Sequence, residues 1–165
     1  MSSAPAFRRA AILGTGLIGG SFGLALRKYA PEIRVAGWDK EPVVHEAAAL
    51  GAVQDVYFRD IPHALAGADL VYIALPIGAT LDVLPEILRC AAPNALVTDA
   101  CSTKLRIGER AAEILAQSAK AGAVFLPGHP MAGKEASGVA SASAELFQDA
   151  AYALIGEDSL HHEPR

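Results

Sequence analysis

Three glycines near the start of the chain have the spacing of a turn that binds phosphate. Residues 11–20 read AILGTGLIGG, so Gly14, Gly16 and Gly19 form a G-x-G-x-x-G pattern between an apolar run and a helix-like run. In such a turn the first glycine permits the tight bend, the second leaves room for a pyrophosphate, and the third lets the helix pack on the strand. Free N–H groups and the dipole at the helix N-terminus favour the anion. The pattern predicts a dinucleotide site, and a glycine-rich turn without a ligand is the alternative.

An acidic residue follows the second apolar run at the distance that a dinucleotide site requires. Residues 33–38 read IRVAGW and are followed by Asp39, 20 residues after Gly19. A carboxylate at this place hydrogen-bonds the ribose 2′-OH of NAD and repels the 2′-phosphate of NADP, so it favours NAD. Lys40 comes directly after it and weakens that preference. The alternative is that Asp39 only caps the following helix.

Two further residues have the chemistry of a proton-transfer site. His129 stands between Gly128 and Pro130, which predict a loop directly after an apolar run. Histidine titrates near neutral pH and can take a proton during a hydride transfer; a structural histidine bonded to the backbone is the alternative. Ser102 precedes a helix predicted to start at Lys104, so its hydroxyl either caps that helix or faces the site.

The elements that must position these residues alternate along the chain. Short, unbroken apolar segments predict strands that are covered on both faces, and amphipathic or small-residue segments between them predict helices. This alternation favours an α/β fold with a doubly wound, mainly parallel sheet of the Rossmann type and helices on both faces. The predicted strands are 10–13, 34–38, 70–75, 95–98, 124–126 and 151–155, and the predicted helices are 18–29, 42–50, 79–90 and 104–119.

A parallel sheet of this kind binds its ligands beyond the carboxyl ends of the strands. The glycine turn, Asp39 and the segments 75–79, 99–104 and 127–133 are therefore expected to line one crevice. Pro76 and Gly78 are predicted to form a tight apolar turn that either packs on the cofactor or only connects a strand to a helix. The predicted cofactor-binding residues are Gly14, Thr15, Gly16, Leu17, Ile18, Gly19, Asp39, Lys40, Leu75, Pro76 and Ile77.

Composition limits the classes of function. The chain has 165 residues, 52% hydrophobic and 19% charged, with a net charge of −4, which indicates one globular domain with no basic block for nucleic acid or an anionic membrane. Apolar runs are too short to span a membrane. Cys90 and Cys101 lack metal-type spacing and are expected to be buried fillers in a reducing cytoplasm. His161 and His162 are expected to lie in a solvated tail rather than in a metal site.

Four segments together resemble the prephenate/arogenate dehydrogenase family of tyrosine biosynthesis. They are 14–27 (GTGLIGGSFGLALR), 68–80 (ADLVYIALPIGAT), 98–104 (TDACSTK) and 127–138 (PGHPMAGKEASG), and the similarity extends over residues 10–155. The resemblance implies NAD-dependent oxidative decarboxylation of prephenate to 4-hydroxyphenylpyruvate. It also implies that His129 accepts the proton of the substrate ring hydroxyl and that Ser102 orients that hydroxyl or the histidine. Ala100–Cys101 and Lys134 depart from the usual family residues, and Lys134 either touches a substrate carboxylate or faces solvent.

The family also carries a second, mostly helical domain that supplies the dimer interface and further substrate-binding groups. Residues 1–156 are therefore predicted to form the dinucleotide-binding domain, and 157–165 a polar tail at the start of a missing C-terminal domain. Either the chain is a truncated or fragmentary copy, or it relies on a separate partner. The resemblance implies that the full-length form is a homodimer and that this chain alone binds NAD but turns over prephenate poorly or not at all. The alternatives are an arogenate dehydrogenase, another hydroxy-acid dehydrogenase or imine reductase, and a non-catalytic NAD-binding module.

Overall fold

Six parallel strands form the central sheet of the chain, which a computed structural model describes over residues 6–117, 122–133 and 135–156. The strand order is β3-β2-β1-β4-β5-β6, so the chain runs outward from β1 in one direction, returns, and continues in the other. The carboxyl ends of β1 and β4 flank the place where this order reverses, which is where such sheets bind ligands. The strands are β1 Arg9–Leu13, β2 Arg34–Trp38, β3 Asp55–Tyr57, β4 Leu70–Ile73, β5 Leu96–Asp99 and β6 Val124–Phe125.

Within the described residues, five α-helices cover the two faces of this sheet. Pro31 follows the end of the first helix, Pro42 lies in the first turn of the second, and Gly51 follows the second with a φ of 78°. Each of these residues is typical of the helix boundary at which it stands. The helices are α1 Leu17–Tyr29, α2 Glu41–Ala49, α3 Ile61–Leu65, α4 Ile77–Cys90 and α5 Leu105–Gln117, and a 3-10 helix spans Val139–Ser141.

The alternation of side chains along the strands divides the core into two layers. In β1, Ala11 and Leu13 pack against the helices α3, α4 and α5, whereas Ile12 packs on the face covered by α1 and α2. Successive side chains of a strand point to opposite faces, so an unbroken apolar strand serves both layers. Burial of each Leu or Ile side chain contributes about 1.5–3 kcal/mol to folding. The fold class predicted from the sequence is confirmed.

Two of the predicted elements differ from the structure at the carboxyl side of the sheet. His129 was expected in a loop, but it lies in a short strand, β7 Gly128–Pro130. This strand pairs antiparallel with β8 Tyr152–Leu154, so the last predicted strand joins a separate two-stranded sheet and not the central one. Pro130 is compatible with β7 because a two-stranded ribbon leaves each strand with an unpaired edge.

One strand and one helix of the central fold, β3 and α3, have no counterpart among the predicted elements. β3 is three residues long and α3 five, which is too short for a period of either kind to be recognised. The signal for α3 is Asp60, whose carboxylate accepts a hydrogen bond from the backbone N–H of His63 at 3.1 Å. Strand β4 ends at Ile73 and not at residue 75, and the end predicted for the last helix, 118–119, lies outside the described residues. Among the described residues no helix is long and apolar enough to cross a membrane.

Candidate functional site

The backbone at position 14, the first glycine of the turn, can only be adopted by a glycine. Gly14 has a φ of 92°, and a Cβ built on it would lie 2.5 Å from the carbonyl oxygen of Ala74. Its N–H donates to the carbonyl of Trp38 at 2.8 Å. The turn therefore passes between the ends of β2 and β4, and only a residue without a side chain fits there.

The other two glycines have opposite surroundings. A Cβ on Gly19 would lie 1.8 Å from the carbonyl oxygen of Gly14, so Gly19 permits the close packing of α1 on the turn. A Cβ on Gly16 would meet no atom within 4 Å. Gly16 is also the N-cap of α1, no side chain caps this helix, and its first turn contains no acidic residue. The N-terminus of α1 beside Gly16 therefore has the open backbone and the dipole that favour a phosphate group.

Asp39 connects the end of β2 to the glycine turn. Its Oδ2 accepts hydrogen bonds from the backbone N–H of Thr15 at 2.6 Å and from the Thr15 hydroxyl at 3.3 Å. Its Oδ1 accepts from the N–H of Lys40 at 2.7 Å. The N-cap of α2 is Lys40, and no side-chain hydrogen bond caps that helix. The alternative that Asp39 only caps α2 is therefore wrong, and its carboxylate lies beside the turn.

A cleft of about 310 Å³ extends from the glycine turn along the carboxyl edge of the sheet. Leu75 and Pro76 line it from the β4–α4 connection, but Pro76 and Gly78 do not form the expected turn, because α4 begins at Ile77 with Pro76 as its N-cap. Residues 136–138 form another wall, which the sequence analysis did not predict. The lining residues are Leu17, Ile18, Ala74, Leu75, Pro76, Ala100, Ala136, Ser137 and Gly138.

The segment after these wall residues is held against α1. The backbone N–H of Ser143 donates to the Ser21 hydroxyl at 3.0 Å, and Lys28 pairs with Glu145 at 2.6 Å. Both contacts join residues more than one hundred positions apart, so no local pattern could have predicted them. They place the cleft wall over the helix that begins at the glycine turn.

His129 lies half-buried in β7, where it is opposite Ala153 in β8. Within the described part of the chain, its Nδ1 is buried and has no hydrogen-bond partner. The alternative of a structural histidine bonded to the backbone therefore gains no support from Nδ1. Because Nδ1 has almost no accessible surface, a substrate proton would have to be taken by the other ring nitrogen, Nε2.

Ser102 lies exposed in the connection between β5 and α5. Because α5 begins at Leu105, the residue before it is Lys104, whose carbonyl accepts the N–H of Gly108 at 2.8 Å. The alternative that Ser102 is the N-cap of this helix is therefore wrong. Its hydroxyl is not engaged as a cap, and the residue stands beyond the carboxyl end of β5. Neither Ser102 nor His129 is among the residues that line the cleft beside the glycine turn.

The sequence analysis gave no role to a buried ion pair in the same region. Asp99, at the end of β5, is fully buried and accepts a hydrogen bond from Lys104 Nζ. It also accepts from the backbone N–H groups of Cys101 at 3.0 Å and of Gly128 at 3.3 Å. The available signal was an acidic residue closing an apolar strand, LVTD, with a lysine five positions later.

The expectation of buried cysteines is confirmed for Cys101 and is wrong for Cys90. Both are free, Cys101 is buried and Cys90 is half-buried. Burial raises the pKa of the Cys101 thiol, which lies 3.5 Å from the Leu75 carbonyl and from the Thr80 hydroxyl. Across the described ranges, no three His, Cys, Asp or Glu side chains are grouped to hold a metal ion. His161 and His162 lie outside the described residues.

Comparison with known proteins gives a family match over most of the chain. Residues 22–163 match the model of the family described as prephenate dehydrogenase, nucleotide-binding domain. A prephenate dehydrogenase of Lactococcus lactis subsp. cremoris is 36% identical over 147 residues, which are 88% of this chain and 40% of that protein. The chain spans only 38–47% of the length of the curated relatives that it matches.

Solved structures agree with this match. A prephenate dehydrogenase from A. aeolicus, in complex with hydroxyphenyl propionate and NAD+, has a TM-score of 0.83 at 25% identity, over 95% of this chain and 53% of that one. The arogenate dehydrogenase of Synechocystis has a TM-score of 0.78 at 28% identity, over 92% of this chain and 51% of that one. The structural similarity to these two dehydrogenases therefore extends over nearly the whole chain.

Proposed function

This chain belongs to the family of prephenate dehydrogenase nucleotide-binding domains, and we propose on that basis that it binds NAD+ and carries half of a prephenate site. The observation that supports the cofactor site best is the open face of Gly16 at the uncapped N-terminus of α1. The pyrophosphate is expected there, since the helix dipole and free N–H groups favour an anion. The residues present therefore fit the cofactor.

The rest of the cofactor site follows from the direction of the cleft. Asp39 would hold the ribose of the adenosine half, and its negative charge would repel a 2′-phosphate. The apolar lining at Leu75 and Pro76 would hold the nicotinamide half, with Ile77 at the rim, where it is 37% exposed. Lys40 is exposed beside Asp39. The resulting preference is for NAD+ over NADP+.

The proposed reaction assigns one role to each of two side chains. NAD+, when bound, supplies a hydride acceptor. His129 accepts the proton of the ring hydroxyl while the ring carbon that carries this hydroxyl loses a hydride. The ring carboxylate then leaves as CO2, and its bonding electrons complete the aromatic ring; His129 returns the proton to the phenolic oxygen. Ser102 hydrogen-bonds the hydroxyl or His129 and keeps it oriented. A positioned base of this kind contributes about 10²–10⁴-fold to rate.

Titration of the chain with NAD+ and NADP+ tests the cofactor site. We expect saturable binding of NAD+, weaker binding of NADP+, and a smaller difference between the two in an Asp39→Ala variant. Glu113→Gln is the matched control, because Glu113 pairs with Arg110 on the outer face of α5, away from the cleft. Equal affinity for both cofactors in the unmodified chain would contradict the role of Asp39.

Turnover tests the second half of the proposal. We expect the 165-residue chain to bind NAD+ but to produce little or no NADH with prephenate. A chimera in which the remainder of the Lactococcus lactis enzyme follows residue 156 supplies the missing half of the site. In it, His129→Ala should lower turnover by about 10²–10⁴-fold and leave NAD+ affinity unchanged. Undiminished turnover in that variant would exclude His129 as the base, and robust turnover by the short chain would contradict the half-site proposal.

Arogenate is the second candidate substrate, because the chain resembles the Synechocystis arogenate dehydrogenase about as closely as it resembles prephenate dehydrogenases. The ratio of kcat/KM for prephenate to that for arogenate, measured in the same chimera, separates the two. The family match disfavours a hydroxy-acid dehydrogenase or an imine reductase, and turnover by the chimera tests the remaining alternative of a non-catalytic module.

The organisation of the whole protein belongs to the same proposal. We propose that residues 1–156 act as the dinucleotide-binding domain and that a helical domain, on the same chain or on a separate partner, completes a cytoplasmic homodimer. Sedimentation should give a monomer for the 1–156 segment and a dimer for the chimera. A dimer of the isolated 1–156 segment would contradict this assignment.

A further inference from the structure

One buried carboxylate touches the backbone directly before both candidate catalytic residues. Oδ2 of Asp99 accepts the N–H of Cys101 at 3.0 Å, and Oδ1 accepts the N–H of Gly128 at 3.3 Å. Ser102 follows Cys101, and His129 follows Gly128. These two segments belong to different elements, and Gly128 lies 29 residues after Asp99 in the chain. The side chain of Asp99 therefore joins the β5–α5 connection to strand β7.

The surroundings of Asp99 explain why an acidic residue is needed for this connection. Cys101 and Gly128 are both buried, so their N–H groups would have no water to bond if the carboxylate were removed. A carboxylate offers two oxygens that accept several hydrogen bonds at once, whereas an amide offers one oxygen. Lys104, with a side chain only 9% exposed, neutralises the charge.

A buried ion pair contributes little to stability in comparison with apolar residues of the same size. The pair is therefore better explained by the geometry that it holds than by the free energy of folding. Asp99 itself is fully buried and does not face the cleft lining. It can act on a substrate only through the residues whose backbone it fixes.

We propose that Asp99 is a positioning residue that sets the relative placement of Ser102 and His129. This inference rests on the proposed function, which makes these two residues the partners of the substrate hydroxyl. A displacement of about 1 Å in a reacting group can lower a rate by about 100-fold. The carboxylate is well placed to prevent such a displacement because each of its two oxygen atoms holds one of the two segments.

Asp99→Asn tests the proposal, because asparagine has the same shape but presents an NH2 group to one of the two N–H donors and leaves Lys104 without its counter-charge. In the 165-residue chain we expect the Cys101 and Gly128 amides to exchange with solvent at least ten-fold faster than in the unmodified chain. The ring signals of His129, identified by their loss in His129→Gln, should shift in the NMR spectrum. NAD+ affinity should stay within two-fold. Glu113→Gln, which removes an exposed ion pair, should change none of these quantities.

Asp99→Glu separates position from charge, and it also serves if the asparagine variant does not fold. Glutamate keeps the ion pair with Lys104 but moves the carboxylate oxygens by one methylene. The shift of the His129 signals should therefore persist, while the thermal midpoint of unfolding should be higher than in Asp99→Asn. Full recovery of the His129 signals and of both amides would overturn the proposal, since charge alone would then suffice. Unchanged exchange at Cys101 and Gly128, or equal acceleration throughout the central sheet, would also overturn it.

Turnover in the chimera distinguishes this proposal from the proposed function. Asp99→Asn should lower kcat at least ten-fold with little change in the KM for NAD+, and it should cause no further loss in a His129→Ala background. Additive losses in the double variant would contradict an effect through His129. If His129→Ala alone leaves turnover undiminished, the proposed base is wrong, whereas the amide exchange rates still report whether Asp99 holds the two segments.

Discussion

Substitution of Gly16 by alanine should separate cofactor binding from folding. A Cβ at this position meets no protein atom within 4 Å, and the backbone, with φ −68° and ψ −150°, lies at the edge of the extended region. Alanine is a poorer N-cap than glycine, which costs about 1 kcal/mol or less. The structure therefore predicts a small loss of stability, corresponding to a fall of about 2–4 °C in the thermal midpoint of a chain of this size.

The expected loss of affinity is larger. The added methyl group would occupy the space through which a pyrophosphate approaches the N-terminus of α1. One hydrogen bond to a charged group contributes about 1.5–3 kcal/mol. Since about 1.4 kcal/mol corresponds to a factor of ten, loss of one such bond weakens NAD+ binding by roughly 10- to 100-fold.

Isothermal titration with NAD+ and a thermal unfolding curve measure the two effects on the same sample. Gly51→Ala is the matched control. A Cβ at Gly51 also meets no atom within 4 Å, and Gly51 lies beyond the end of α2. Its φ of 78° is a conformation that strains alanine. This substitution should lower stability by about 1–2 kcal/mol and leave NAD+ affinity unchanged. An affinity of Gly16→Ala within two-fold of the unmodified chain would refute the assignment of the glycine turn to the pyrophosphate.

Two further predictions concern stability and thiol chemistry. Hydrogen bonds from Arg34 and then Arg9 lower the pKa of Asp55 to about 2, so its stabilising contribution is complete above the unfolded pKa near 4 and is lost as the pH falls toward 2. Asp55→Asn should therefore reduce the free energy of urea unfolding by about 1–2 kcal/mol at pH 7 but hardly at pH 2. An equal loss at both pH values would contradict the link between the pKa of Asp55 and stability. Because burial raises the pKa of the Cys101 thiol, Ellman's reagent at pH 8 should label half-buried Cys90 first and reach Cys101 only in denaturant. Rapid labelling of a folded Cys90→Ser variant would show that Cys101 is accessible.

The elements that the sequence predicted well are those with a strong local signal. Strand β1 and helix α1 are separated by a glycine turn whose three positions each have a distinct backbone requirement, and their bounds agree with the predicted ones to within one residue. Helix α2 has a proline in its first turn and a glycine with positive φ after its end. Each signal acts within a few residues, so no knowledge of the rest of the fold was needed.

The elements that were missed depend on distant partners. Strand β7 contains a glycine and a proline, which locally favour a loop, and it becomes a strand only because β8 pairs with it from more than twenty residues away. Strand β3 is defined by its pairing with β2, and its first residue, Asp55, is held by Arg9 and Arg34. Tertiary pairing outweighs local preference in such short segments.

The sequence by itself determined the type of fold, the glycine turn and the choice of Asp39, His129 and Ser102 as candidates. These inferences depend on residue type, local backbone requirement and spacing, which are properties of the chain. Only the tertiary structure showed that Asp39 bonds the glycine turn, that residues 136–138 form a wall of the cleft, and that Asp99 contacts the backbone before both Ser102 and His129. Hydrogen bonds across such distances arise from the packing of elements that are far apart in the chain, and packing leaves no periodic signal in the sequence.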